Sequence, residues 1–398
     1  MAHPSNKLVI LGLLVRLVPA AFTAHPTDMQ SWKTIGAAIY NGQNPYTLPA
    51  YGLVYSPLWG FVCGMAYAVY IQVQNSFVFN FVIKLPIIAA DMAIAKNIQM
   101  IVLAKTKNEK TARGAMMLYL FNPVTILMSS IWGMFDAIPV FLVLLSMISL
   151  ARQQYLKSSL ILGIGIAFKG IYPALLLPLF LYTITKMEGK KRETLGYLAS
   201  SILVPAVFLT PFLMADIASY INITIIHYIQ RPLSNLTYWL AIRAALGQNE
   251  GLVSTISFMI LIAVFPLLYA YILRKAESKT IAKMMTQILL AFYLVSPTVN
   301  EQYIVWLIPP MIIYAIMEER KMRTSLYSLS IITTVYAIAN AGVAFFIPIN
   351  PQLSEAHLWP VMLVCSLIFQ VISAKTLQKT IKETPPRHTQ KQLVGCKT

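Results

Sequence analysis

The stretch PLWGFVCGMAYAVYIQVQ, residues 57–74, decides the fold, because whether it crosses a membrane fixes the side on which every later segment lies. A second apolar run, about 77–104, follows directly. Downstream, basic residues collect between apolar runs: at Lys105, Lys107, Lys110 and Arg113, at Arg152 and Lys157, at Lys186 to Arg192, at Arg274 to Lys283, at Arg320 to Arg323, and from Lys375 into the tail. This is the positive-inside pattern of cytoplasmic loops. If both runs crossed, the Lys105 cluster would face the outer side. One of them must therefore stay on its own side. Residues 57–74 are the better choice, being short, interrupted by Gly60 and Gly64 and rich in tyrosine, the profile of a re-entrant or interfacial helix.

Composition requires a membrane in the first place. Of 398 residues, 58% are hydrophobic and 11% charged, with a mean hydropathy of +0.66, whereas soluble domains carry roughly 25% charged residues. The expected fold class is an all-α polytopic membrane protein with about twelve transmembrane helices and a re-entrant or interfacial helix after the first span. The first run, about 8–24, lacks a small-residue cleavage site and reads as a retained helix. Further crossings are expected near 77–104, 114–132, 137–151, 158–169, 171–187, 194–213, 252–273, 284–298, 302–317, 324–345 and 358–374, with both termini cytoplasmic. This divides the chain into a membrane-embedded module over 1–213 that includes a first outer loop at 25–76, a large outer loop at 214–251, C-terminal helices over 252–374 and a basic cytoplasmic tail at 375–398. The formal charge of +17 is accounted for by the loop clusters and calls for no nucleic acid. Three cysteines give no disulfide framework, and five scattered histidines imply no metal site.

On this map HPTDMQSW, NPYTLPAYGLVYSP, WGMFDAIP, FKGIYP, HYIQRPLSNLTYW and SPTVNEQY all fall on the outer side. The spans flanking WGMFDAIP and FKGIYP are short, so these turns should be recessed below the surface, where irregular backbone is tolerated only beside protein or water. Asp28 reads either as the N-cap of a loop helix starting at Met29 or as a functional acid. Asp136 reads as a capping carboxylate or as a second functional acid. Lys84 and Asp91 share one face of one apolar helix and are expected in a structural ion pair, with Arg16 as a further partner. Lys169 stands against the charge bias and is expected either to bind an anion or to pair with Asp136. Arg231 is a candidate for phosphate or glycan, and Arg243 reads as a solvated loop residue. Glu301 reads as a helix N-terminal acid beside Asn300 and Tyr303. Trp32, Tyr46 and Tyr55 can pack on sugar faces or anchor at the interface.

The order of these motifs, an acid in TDMQSW, then NPY and YSPL, WGMFDAIP, AFKGIYPALLLP and VNEQYIVWLIPP, resembles the GT-C class of integral membrane glycosyltransferases over about residues 8–317. It is similar both to prokaryotic polyprenyl-phosphate-mannose-dependent enzymes and to dolichyl-phosphate-sugar-dependent enzymes of N-glycan and GPI assembly. The resemblance implies inverting transfer of a hexose, with mannose as the family's precedent, from a polyprenyl-phosphate sugar donor to a lipid-linked or glycolipid acceptor, without a cofactor. The first-loop acid of the family maps onto Asp28 as general base, with Asp136 as the second candidate. YSPL and FKGIYP are implied to line the site, bringing in Tyr55, Lys169 and Tyr172; Trp32, Glu301 and Tyr303 complete the expected lining. Related enzymes often read His-Glu where this chain has Asn300-Glu301, so a cation for the donor phosphate has to come from Lys169 or Arg231, with Asn300 as an uncharged donor. The implied location is a prokaryotic plasma membrane, or the endoplasmic reticulum in a eukaryotic host, with the site on the outer or lumenal face among membrane lipids.

Two rivals belong to other classes. A secondary transporter or flippase should show an internal repeat with matched broken helices, and none is visible. A non-catalytic subunit of a glycan-assembly complex would not need Asp28.

Overall fold

The computed structural model describes residues 4–48, 52–188, 191–226, 234–246, 250–275, 280–341 and 355–382. It is helical almost throughout, and the sequence supplies the stops. Prolines 26, 45, 57 and 123 occupy first-turn positions, where a missing N–H costs nothing. Side chains of Asn44, Asn75, Asn108 and Asn122 accept backbone N–H bonds at the starts of their helices.

In chain order the helices are α1 (Pro4–Phe22), α2 (Pro26–Tyr40), α3 (Pro57–Val73), α4 (Ser76–Thr106), α5 (Glu109–Leu120), α6 (Pro123–Ile126, running into a π turn at Leu127–Trp132), α7 (Ala137–Ala151), α8 (Tyr155–Phe168), α9 (Ile171–Glu188), α10 (Lys191–Ile221, with a π turn to Ile226), α11 (Trp239–Leu246), α12 (Glu250–Arg274), α13 (Ile281–Val295), α14 (Ile304–Met317), α15 (Met322–Ala341) and α16 (Glu355–Lys382). The strand content of the described residues is a two-residue parallel pair, Ser234–Asn235 against Thr298–Val299. Helices α13 and α14 are buried on almost every face, as expected of helices that are apolar all round. They pack on each other and on α4, α12, α15 and α16. By contrast α10 and α12 leave Leu203, Val207, Met214, Met259, Ile262 and Leu267 exposed, a surface suited to acyl chains.

The expectation of about twelve spans is not reached by length. Among the described residues four helical stretches are long and apolar enough to cross a membrane, Ser76–Thr106, Lys191–Ile226, Gly251–Arg274 and Leu358–Lys382. Two bent pairs, Lys7–Phe22 with Pro26–Tyr40 at 79° and Glu109–Leu120 with Pro123–Trp132 at 49°, raise the count to at most six. Prolines, glycines and polar turns cut most of the other apolar runs into helices of 10–17 residues, at or below about the 17 that a crossing needs. The chain is accordingly a multi-pass membrane protein, with four to six candidate spans among the described residues. Helix α3 is among the short apolar helices. It lies tightly on α2, because a Cβ on Gly36 would fall 2.5 Å from the Cys63 carbonyl oxygen and one on Gly64 2.7 Å from Ile39. The stretch expected as a large outer loop is instead helical up to Ile226, with one non-helical residue at Asp216, and its second half carries α11.

Three of the buried charges, Arg16, Lys84 and Asp91, lie on α1 and α4. Arg16 on α1 donates to Asp91 on α4 at 2.8 Å and to the Leu120 carbonyl at 2.8 Å, while Tyr119 and Ser129 each donate to Asp91 at 2.6 Å. Asp91 thus pairs with Arg16 and not with Lys84, which correction follows from reach: Lys84 sits two turns nearer the other end of α4 and turns to backbone carbonyls. Replacing Arg16 by Met strands a buried carboxylate. It is expected to lower stability by about 3–5 kcal/mol, with the double variant R16M/D91L recovering most of that, as read by unfolding in detergent.

Candidate active site

The site is organised by the irregular segment between α6 and α7. The π turn at Leu127–Trp132 ends on Gly133, whose φ of +92° is left-handed. Amides of Gly133 and Met134 both donate to the Met128 carbonyl, at 3.0 and 2.7 Å, and the chain then enters α7 through Asp136. Lys84 stabilises this geometry. Its ammonium lies within 2.5–3.2 Å of the carbonyl oxygens of Ala20, Thr23, Ser130 and Ile131, joining the end of α1 to the π turn.

Two polar centres hang from this segment. At one end Trp132 Nε1 donates to Asp28 Oδ2 at 2.6 Å, and His25 Nδ1 lies 3.1 Å from the same oxygen. The His25 ring is stacked on Trp132 at 4.6 Å and 9°, and its backbone N–H donates to the Trp132 carbonyl at 3.2 Å. Asp28 is in the first turn of α2, but the residue capping that turn is His25, so the expected helix starts earlier than Met29 and its cap is not Asp28. Asp28 keeps 26% of its side chain exposed.

At the other end Lys169 donates to both oxygens of Asp136, at 2.9 and 2.8 Å, and Trp306 Nε1 donates to Asp136 Oδ1 at 2.6 Å. Both charged residues are essentially buried. The ammonium lies 5.0–6.0 Å from the ring centres of Tyr55, Phe135, Tyr303 and Trp306, within cation–π range. Trp132 and Asp136 are four positions apart, so their backbones are at most about 14 Å apart.

An aromatic wall stands between the two centres. Phe135 stacks on Trp59 at 4.2 Å, while Trp32 meets both edge-on at 6.1 and 5.0 Å. Tyr55 meets Phe135 edge-on at 5.0 Å and is held by Tyr46, whose hydroxyl donates to the Tyr55 carbonyl at 2.8 Å. Burial, with Tyr220 alongside, pushes the Tyr46 hydroxyl above its ordinary range, so it stays a neutral donor. Beside Lys169 a cavity of about 450 Å³ opens, lined by polar residues, among them Tyr55, Ser56, Lys169 and Tyr303, and by apolar ones, among them Ile225, Phe258, Leu261 and Phe292.

Of the expected site residues, Tyr55, Lys169 and Tyr303 line this cavity together. Trp32 lies in the wall, and Tyr172 is buried with its ring stacked on Trp306 at 5.2 Å. Asn300 accepts from Asn235 Nδ2 at 2.6 Å, and Glu301 accepts from Asn340 Nδ2 at 2.5 Å, both in buried surroundings. Arg231 lies outside the described residues. Sequence reasoning missed Trp132, Trp306, Phe135 and the clamp role of Lys84. Indoles in apolar runs read as packing, although WGMFDAIP itself stood out.

The overall fold is similar to that of ArnT from Cupriavidus metallidurans. The structure of that protein bound to undecaprenyl phosphate matches at a TM-score of 0.52 and 15% identity, covering 94% of this chain and 77% of that one. Its apo structure matches at a TM-score of 0.54 and 13% identity, covering 94% and 76%. At these identities the likeness is one of fold. Residues 25–247 match the family described as PIG-U, GPI transamidase subunit PIG-U, and this chain belongs to that family. Among curated proteins none matches it.

A Cβ on Gly133 would fall 2.5 Å from Met29 Cε and 2.8 Å from Lys84 Cε, on a backbone that L-residues avoid. Gly133→Ala is therefore expected to lower stability by about 1–3 kcal/mol, measured by thermal unfolding in detergent, and more than Gly114→Ala, where nothing stands within 4 Å.

Proposed function

We propose that this chain is an inverting glycosyltransferase that moves a hexose, mannose being the first donor to try, from a polyprenyl-phosphate to a lipid-linked or glycolipid acceptor. The observation that carries this reading is one short segment, Trp132–Asp136, holding a partly exposed carboxylate at one end and a buried ammonium at the other. Asp28 Oδ2 is occupied by Trp132, and Oδ1 accepts no hydrogen bond among the described residues, which leaves an oxygen for an acceptor hydroxyl.

In the proposed reaction Asp28 takes the acceptor's hydroxyl proton, and the acceptor oxygen attacks the sugar's anomeric carbon. The bond from that carbon to the phosphate oxygen breaks, its electron pair leaves with the lipid phosphate, and the configuration inverts. Lys169 draws the leaving phosphate, with Arg231 and Asn300 as further phosphate-side candidates. Asp136 holds Lys169 and is the second candidate for an acid. Tyr55 and Tyr303 line the donor side, and Trp32, Tyr172 and Glu301 support the lining from behind. A cavity lined by a cation and by Ile225, Phe258 and Leu261 suits a phosphate carrying an isoprenoid tail. The undecaprenyl phosphate named for the ArnT structure supports that choice. The proposed site faces the outer or lumenal side of a prokaryotic plasma membrane, or of the endoplasmic reticulum in a eukaryote.

Membership of the PIG-U family favours a second reading, a subunit that recognises a GPI-type glycolipid without transferring sugar. The two part on Asp28. With radiolabelled polyprenyl-phosphate mannose or glucose and a native lipid extract, Asp28→Asn is expected to lower kcat at least about a hundredfold, the low end of general-base catalysis. The double variant K169M/D136N, which removes the cation without stranding its carboxylate, is expected to raise the donor KM. Lipid-linked glycan binding without transfer by the wild type establishes the subunit reading instead.

A further inference from the structure

Serine is among the best helix caps, and Ser56 stands at the cap position of α3 with the extended backbone that capping needs, φ −64° and ψ 158°, yet its side chain makes no cap bond. The asparagines at the starts of α4, α5 and α6, by contrast, all accept backbone N–H bonds. The Ser56 hydroxyl has no hydrogen-bond partner among the described residues. Two other hydroxyls of the cavity donate to backbone, Ser296 to the Thr298 carbonyl at 2.7 Å and Thr224 to the Tyr220 carbonyl at 2.6 Å. Ser56 is a hydroxyl that the fold leaves unused.

It faces Gly170. A Cβ on Gly170 would fall 3.6 Å from Ser56 Oγ and 3.8 Å from the Ile166 carbonyl oxygen, ordinary contacts on a backbone outside the left-handed region. The space between the two residues is therefore open, and it belongs to the cavity, whose lining includes Tyr55, Ser56, Lys169 and Gly170. This corner carries a cation: Lys169 adjoins Gly170 in the chain, and its ammonium lies 5.0 Å from the ring centre of Tyr55, the neighbour of Ser56. Asp136 already takes two bonds from that ammonium, at 2.9 and 2.8 Å. An anion here is offered an incomplete charge, and a neutral O–H beside it supplies a second donor.

We propose that the Ser56 hydroxyl donates to the phosphate of the lipid-phosphate donor, seated between Ser56 and Lys169 in the space beside Gly170. The inference rests on reading this cavity as the place of the lipid phosphate, and adds the residue that holds the phosphate without charge. A hydroxyl turns its proton toward whichever oxygen it serves, so the bond strengthens as charge gathers on the leaving phosphate.

The test titrates the full-length protein in nanodiscs with undecaprenyl phosphate and, in parallel, with undecaprenol, which has the same chain and no phosphate. The wild type is expected to prefer the phosphate. Ser56→Ala is expected to bind it about tenfold more weakly, with undecaprenol binding and the thermal midpoint unchanged, since no cap bond is lost. Ser56→Asp, a good cap residue of the wrong charge, is expected to lose the preference at full thermal stability. Gly170→Ala puts a methyl in the seat and is expected to weaken phosphate binding in the same way. Wild-type affinity for undecaprenyl phosphate in Ser56→Ala overturns the proposal, even where the wild type transfers sugar. So does a Ser56→Ala protein that melts earlier and binds both lipids more weakly, which makes Ser56 a structural residue, and so does a wild type that does not distinguish the two lipids. Sugar transfer is scored apart: a phosphate preference that depends on Ser56, with no transfer from any donor, overturns the transferase reading and supports the seat.

Discussion

An ammonium ion inside a helix bundle has no water to solvate it, and Lys84 is solvated by protein backbone. The carbonyls of Ala20 and Thr23 come from the end of α1, where helix geometry leaves acceptors unused, and those of Ser130 and Ile131 come from the π turn, where the ladder is irregular. One buried charge thus stabilises two defects that would each be costly alone. Both defects are where the site begins: α1 gives way to His25 and Asp28, and the π turn gives way to Trp132 and Gly133. Arg16 and Asp91, one face further along, fix α1 to α4 and leave Lys84 free to serve the carbonyls.

From that clamp the rest of the site follows by steric sequence. Gly133 turns the chain, Phe135 drops between Trp59 and Tyr55, and Asp136 arrives beneath Lys169. Aromatic packing here does more than fill space. It separates two acids that in open water would repel and exchange partners, and gives each its own set of donors. Asp28 has one indole, one imidazole and an outward edge; Asp136 has one indole and one ammonium and is sealed. The same residue type stands at two depths, one carboxylate with an edge open to water and the other sealed around a cation.

Much of this was legible in the sequence. Apolar runs and basic clusters identified an all-helical membrane protein, and of the basic residues outside those clusters Arg16, Lys84 and Lys169 are inside the bundle, whereas Lys96 is exposed. The Lys169–Asp136 contact was one of two alternatives the sequence left for that lysine. The span count was less legible, because bilayer crossing is inferred from length and several helices here are short or bent. Nor could the sequence show that Lys84 forsakes Asp91 for carbonyls, since the acceptors belong to the backbone of residues 64 and 46 positions away and carry no residue signature. The indole donors were hidden for a related reason: Trp132 and Trp306 differ from core tryptophans only in where their N–H points.

The pairing of Lys169 constrains any anion in the cavity. An ammonium already satisfied by two carboxylate oxygens offers a weaker pull than an isolated one, and Asp136 cannot swing aside cheaply while Trp306 Nε1 holds it. A phosphate at Lys169 therefore shares the cation instead of displacing the acid, and the aromatic rings around the ammonium keep water from screening what remains. In a transfer reaction that balance is useful. Charge on the phosphate grows as its bond to the sugar breaks, so a shared cation favours the separated state more than the intact donor. It also leaves the spent lipid phosphate loosely held. Under the proposed reaction the buried ion pair makes the site respond to developing charge rather than to resting charge.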